Sequence, residues 1–158
     1  MSGSEPPRLA LLSDIALLEA GLRALAADLG DPFAIRCDVL EAALFGPRAY
    51  GFALVAGGQG VLLAQPRIST ATGGALSYVS DLWVAQAARG AGLGQRLLTL
   101  AAQEGAARWG ALGLCLSVYA ENVGAMAFYD RLGFTLLERD RIALLTGPAL
   151  CNLMEGQA

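Results

Sequence analysis

The sequence predicts an α/β (α+β) fold, and three observations carry the prediction. Strand-like and helix-like periodicities are mixed along all 158 residues. A strand-like run at 76–84 feeds the glycine-rich stretch Arg89-Gly90-Ala91-Gly92-Leu93-Gly94, which feeds a long Ala/Leu helix pattern. Hydrophobic residues make up 55% and charged residues only 16%, which supplies a full core and argues against disorder. The length suggests one domain, 1–158, with its core at about 8–155.

The elements follow in order. Residues 8–12 are short and apolar, a first strand. Ser13 and Asp14 can cap a helix that runs to Gly30, with Ile15, Leu18, Leu22, Leu25 and Leu29 at helical spacing. Gly30-Asp31-Pro32 stops it. Residues 37–45 read as a second short helix ended by Gly46-Pro47. Residues 50–56 and 61–65 are strand-like, and Gly57-Gly58-Gln59-Gly60 between them reads as a hairpin turn. A polar loop at 68–74 precedes the strand at 76–84. Residues 93–109 form a helix whose apolar stripe is Leu93, Leu97, Leu100, Ala101 and Ala107. A buried strand at 112–118 follows, then a short helix at 122–132 closed by Gly133. Residues 134–145 and 149–154 would finish the sheet.

Composition excludes several classes of chemistry. The chain has no histidine, which removes Ser-His and Cys-His nucleophile schemes and every histidine metal site. Cys37, Cys115 and Cys151 are odd in number and far apart, so no zinc cluster is expected and a reducing, cytoplasmic setting fits. Net charge is −3 with no basic stripe, which argues against nucleic acid as a partner. No apolar run is long enough to span a membrane, and residues 1–7 carry no secretion signal.

Strand, glycine loop and helix together form an arrangement that binds phosphate. Glycines let backbone approach a ligand, and the first helix amides and the helix dipole favour an anion. Three readings compete at 89–94. One is a ligand-free turn. The second, a dinucleotide fingerprint, needs Gly-x-Gly-x-x-Gly, but Gln95 takes the third glycine's place. No Gly-Lys-Ser/Thr follows, so a P-loop fails as well. The third is the Arg/Gln-x-x-Gly-x-Gly/Ala loop that binds the pyrophosphate of coenzyme A, satisfied by Arg89, Gly92 and Gly94.

Downstream, Asn122, Ala125, Phe128, Tyr129, Gly133 and Phe134 fit Asn-x-x-Ala-x-x-Phe-Tyr-x-x-x-Gly-Phe. With the loop, this segment resembles the GNAT superfamily of acyl-CoA N-acyltransferases, strongly over about 76–134. The resemblance implies a mixed, largely antiparallel sheet of six to seven strands with about four helices. Its strands 76–84 and 112–118 would lie parallel and splay apart to admit acetyl-CoA. Leu82, Trp83 and Val84 would lie along the pantetheine arm. Gly90, Ala91, Gly92, Leu93, Gly94 and Gln95 would wrap the pyrophosphate, with Arg89 heading the loop. Asn122, with Ala125 in the same segment, would hold the cofactor's arm, and Tyr129 would sit beside the thioester sulfur. Residues 50–56 and 76–94 look nearest to the diamine acetyltransferase branch, although Ser80 stands where that branch carries glutamate.

The chemistry expected is acetyl transfer from acetyl-CoA to a primary amine of a small molecule, without metal. A thiol of pKa about 8.5 leaves as a thiolate, and a tyrosine of pKa about 10 can protonate it, which suits Tyr129 as general acid. A strand amide near 82–84 could polarise the carbonyl if strand pairing breaks there. The base is open. Asp81 is a candidate base or substrate contact, although strand alternation sets it on the opposite face from Ser80. Asp38 and Glu41 on the second helix are others, and water or an already neutral amine could serve. The alternative from another class is an acyl-CoA-binding regulatory domain with no turnover. Apolar terminal strands leave a homodimer open.

Overall fold

The computed structural model describes residues 5–156, so residues 1–4, read above for a secretion signal, lie outside the described residues. The chain forms two compact units, one ending at Tyr119 and one beginning at Ala120.

The first unit holds one five-stranded sheet in the order β1 (Arg8–Leu9), β2 (Phe52–Val55), β3 (Gly60–Ser69), β4 (Gly74–Val84), β5 (Leu114–Leu116). All neighbours are antiparallel except β4 and β5, which are parallel and joined by the crossover helix α3 (Leu93–Trp109). Helices α1 (Ile15–Leu29) and α2 (Cys37–Phe45) pack on one face, where Leu18, Leu22 and Leu40 meet Ala53, Val55 and Val61. Helix α3 covers the other face with Leu93, Leu97, Leu98 and Ala101, all buried. It comes so close at Gly105 that an added Cβ would lie 2.7 Å from the Cβ of Ser77. Phe52 stacks on Trp109 at the far end of α3.

The hairpin at residues 57–60 forms as read, with Val55 opposite Val61. The polar loop is shorter than 68–74, because β3 runs to Ser69 and β4 starts at Gly74. Ala107 is exposed, and Leu98 and Gly105 take its place in the buried stripe of α3. Asp14 precedes α1 but makes no cap bond to it. Its carboxylate instead accepts from the Leu11 amide at 2.8 Å and from Arg8.

The second unit holds α4 (Val123–Arg131) and α5 (Gly147–Met154). The expected strands at 134–145 and 149–154 are absent from the described residues, which hold five strands and five α-helices rather than six to seven and about four. Two local causes are visible. Glu138-Arg139-Asp140-Arg141 interrupts any apolar alternation, so no face is left to bury. Gly147-Pro148 then places proline in the first helical turn, where its missing N–H costs nothing. In this unit Tyr129 is buried, and its ring packs 5.3 Å from that of Phe128 and 5.4 Å from that of Phe134.

Candidate active site

Strand β4 is the element from which the site is built. Its ladder with β5 pairs Ser77 with Leu114, Tyr78 with Cys115 and Val79 with Leu116, and then stops. Among the described residues no strand pairs with residues 80–84 on that side, which leaves β4 an open backbone edge there apart from the Val84 carbonyl, which the Arg89 side chain reaches. The parallel ladder therefore ends at Val79, because β5 itself ends at Leu116.

The break in strand pairing lies at the same place. On the β3 side Leu63 opposes Asp81 while Ala64 opposes Val79, so Ser80 is one extra residue, a bulge. The bulge overturns the simple alternation argument. Ser77 and Val79 share a face with Ala64 and look toward α3. Past the bulge Leu82 and Val84 look that way, and Asp81 and Trp83 turn toward α1, opposite Leu63 and Val61. The Ser80 hydroxyl is not remote from Asp81 but hydrogen-bonds to its carboxyl. Burial raises the Asp81 carboxyl above its ordinary range, and the Ser80 bond opposes this less strongly.

The glycine loop follows. Gly90 (φ 81°) and Gly92 (φ 76°) are left-handed, a backbone that side chains disfavour, and this turns the chain sharply into α3. The first helical bond is from the Arg96 amide to the Gly92 carbonyl, 3.1 Å. The amides of Leu93, Gly94 and Gln95 thus have no carbonyl within the helix and stand at its positive end. Leu93 itself is buried and anchors the turn. The open edge, the glycines and these amides fit a phosphorylated ligand with an extended arm.

Two arginines secure the loop. Arg89 donates from Nε to the Val84 carbonyl (2.8 Å) and from Nη2 to Asp28 (2.7 Å). Arg96 donates to the Ala91 carbonyl, 2.9 Å. Asp28, at the end of α1, also accepts from the Trp83 indole at 3.2 Å. Three residues on, Asp31 accepts from the Tyr119 hydroxyl at 2.9 and 3.1 Å. The end of α1 and the loop after it are thereby tied to β4 and to the chain beyond β5. Sequence reading missed Asp28, Asp31, Arg96 and Tyr119. The only available signal was a pair of carboxylates three residues apart, Asp28 before the Gly30-Asp31-Pro32 stop and Asp31 inside it.

The other candidates separate clearly. Asp38 pairs with Arg36 at 2.8 Å, and that bond holds its carboxyl below the ordinary range, the wrong direction for a base. Glu41 is exposed. Partial burial raises the Cys115 thiol against the opposing pull of Arg67, and the side chain is half-buried rather than in the core, as is the whole of β5, which the sequence predicts to be buried. In the second unit, the Asn122 oxygen accepts from the Ala125 amide at 3.1 Å and caps α4. Desolvation raises the Tyr129 phenol, which keeps it protonated. Among the described residues no group of three or more His, Cys, Asp or Glu could hold a metal ion, and no helix is long and apolar enough to cross a membrane.

Known proteins place this geometry. No curated protein sequence matches. The integron cassette protein VCH_CASS6 from the mobile metagenome of V. cholerae superposes with a TM-score of 0.73 at 20% identity, covering 98% of this chain and 99% of that one. The integron cassette protein HFX_CASS3 from the mobile metagenome of Cole Harbour Salt Marsh gives 0.72 at 23%, covering 90% and 91%. The aminoglycoside acetyltransferase meta-AAC0020, from an uncultured soil metagenomic sample, gives 0.71 at 18%, covering 89% and 94%. These likenesses establish the fold. The acetyltransferase (GNAT) family model matches residues 22–134, which span both the glycine loop and the Asn122–Phe134 segment. On that match, the chain belongs to the GNAT acetyltransferase family.

Proposed function

We propose that this chain is an N-acetyltransferase that moves an acetyl group from acetyl-CoA to a primary amine of a small molecule by direct attack. The observation that carries the reading is the open edge of β4 at residues 80–84 running into a left-handed glycine loop at the start of α3. Acetyl-CoA supplies the activated acyl group, as it does for this family. The amides of Leu93, Gly94 and Gln95 would hold its pyrophosphate, and the backbone of Leu82, Trp83 and Val84 its arm. The bulge at Ser80 frees strand amides to polarise the thioester carbonyl. Asp81, its carboxyl raised by burial, would accept the amine's proton.

Tyr129 is the proposed general acid. Its raised phenol stays protonated at neutral pH; because a thiol of about 8.5 is the stronger acid, Tyr129 would donate in concert with cleavage of the carbon–sulfur bond, as charge builds on the leaving sulfur, and regain its proton from solvent. The acceptor class is kept at small primary amines. Polyamines are not singled out, because Ser80 stands in the place of the diamine branch's glutamate.

The test is coenzyme A release on adding a panel of small amines to protein and acetyl-CoA. The chain contains no lysine, so self-acylation of side-chain amines cannot imitate turnover. Tyr129→Phe keeps the ring packed and removes the hydroxyl. We expect kcat to fall about 100-fold, the scale of general acid catalysis, with acetyl-CoA affinity within about twofold. Unchanged turnover would remove Tyr129 from the acid role. No release with any amine, despite acetyl-CoA binding, would favour a regulatory domain.

A further inference from the structure

We propose that Asp28 is a positioning residue for the acyl-CoA loop, holding Arg89 and Trp83 so that residues 89–95 are set before the ligand arrives. This rests on the reading of that loop as the pyrophosphate site. One carboxylate oxygen of Asp28 accepts both the Arg89 guanidinium (2.7 Å) and the Trp83 indole (3.2 Å). Arg89 then reaches back to the Val84 carbonyl at 2.8 Å. The last turn of α1, the end of β4 and the first loop residue are thus joined at one atom.

The loop needs such a tie. Gly90 and Gly92 are left-handed, and an added Cβ at Gly90 would meet nothing within 4 Å. Glycine backbone is costly to order, and a loop ordered in advance binds more tightly than one ordered by its ligand. Arg96 holds the middle of the loop through the Ala91 carbonyl, whereas Arg89 holds its start. Asp28 also decides what Arg89 does. It draws the guanidinium toward α1 as a strut, where an arginine without this partner would be drawn to the ligand's phosphates. The side chains are 53% and 48% exposed, so the effect is modest and substitution leaves the fold intact.

The test is a titration of the full chain with coenzyme A, by calorimetry, for wild type, Asp28→Ala, Asp28→Asn, Arg89→Ala and the Asp28→Ala/Arg89→Ala double variant. Asp28→Ala is expected to weaken coenzyme A binding about three- to fivefold, the scale of an exposed ion pair. Asp28→Asn, which retains an acceptor oxygen, is expected to fall between it and wild type. In the Arg89→Ala background Asp28→Ala should add less than about twofold, because its main partner is gone. In acetylation assays the loss should fall on KM for acetyl-CoA and leave kcat within about twofold. A Trp109→Phe background isolates Trp83, whose emission in the ligand-free protein should shift in Asp28→Ala. Unchanged or tighter coenzyme A binding in Asp28→Ala overturns the proposal, as does full additivity with Arg89→Ala. A wild-type chain that binds no coenzyme A would instead overturn the reading of the loop itself.

Discussion

Asp81 is subject to two opposing influences, and burial outweighs the Ser80 hydrogen bond. The sign matters for catalysis. A carboxyl raised by burial keeps its proton to a higher pH than an ordinary one. Its basic form is therefore lost as pH falls through the raised value and is fully present above it. With both substrates saturating, kcat should fall along a one-proton limb on the acidic side. Asp81→Asn should remove that limb and lower the plateau about 100-fold, the scale of a lost general base. A limb that persists unchanged in Asp81→Asn would assign the titration elsewhere. Alternation alone could not have placed this residue. Counting from Ser77 with period 2 puts Asp81 on the α3 face, and only the extra residue at Ser80 turns it toward α1. A bulge leaves no mark in the sequence here, since Val-Ser-Asp is ordinary strand material.

At the scale of elements, most of the first unit was legible because its signals are local. The stripe of α3, the hairpin at 57–60 and the glycine loop each follow from a few neighbouring residues. The short contact of β5 with β4 and the ties from the end of α1 were not legible, because they depend on long-range packing. The strands expected after Phe134 do not form for a different reason: that segment is apolar in content but does not alternate, so it offers a sheet no single face to bury. Packing between elements also sets the fate of glycines within helices. At Gly105 an added Cβ would lie 2.7 Å from the Cβ of Ser77, and at Gly124 in α4 nothing lies within 4 Å. Alanine gains up to about 1 kcal/mol over glycine in a helix, whereas overpacking costs about 1–3 kcal/mol. Gly105→Ala should therefore lower Tm by a few degrees, and Gly124→Ala should raise it slightly. A thermal melt that gives both changes the same sign would contradict the close approach of α3 to β4.

For the whole molecule, the question is how a chain of net charge −3 attracts an anionic cofactor. All 11 of its basic residues are arginines, and five of them, Arg8, Arg23, Arg36, Arg89 and Arg108, are already paired with carboxylates. The head of the loop is neutralised in this way by Asp28. Long-range steering toward the phosphates is therefore weak, and the binding proposed here comes from backbone amides and the end of a helix dipole, which act only at contact. Such binding responds little to screening. Between about 0.01 M and 0.1 M salt the Debye length shrinks from about 30 to about 10 Å. Over that range KM for acetyl-CoA should change by less than about twofold. A site held by unpaired surface cations would behave otherwise, since screening weakens exposed charge pairs first. A tenfold rise in KM across the same range would show that free arginine charge carries the affinity, and would transfer the anion site from the loop amides to those side chains.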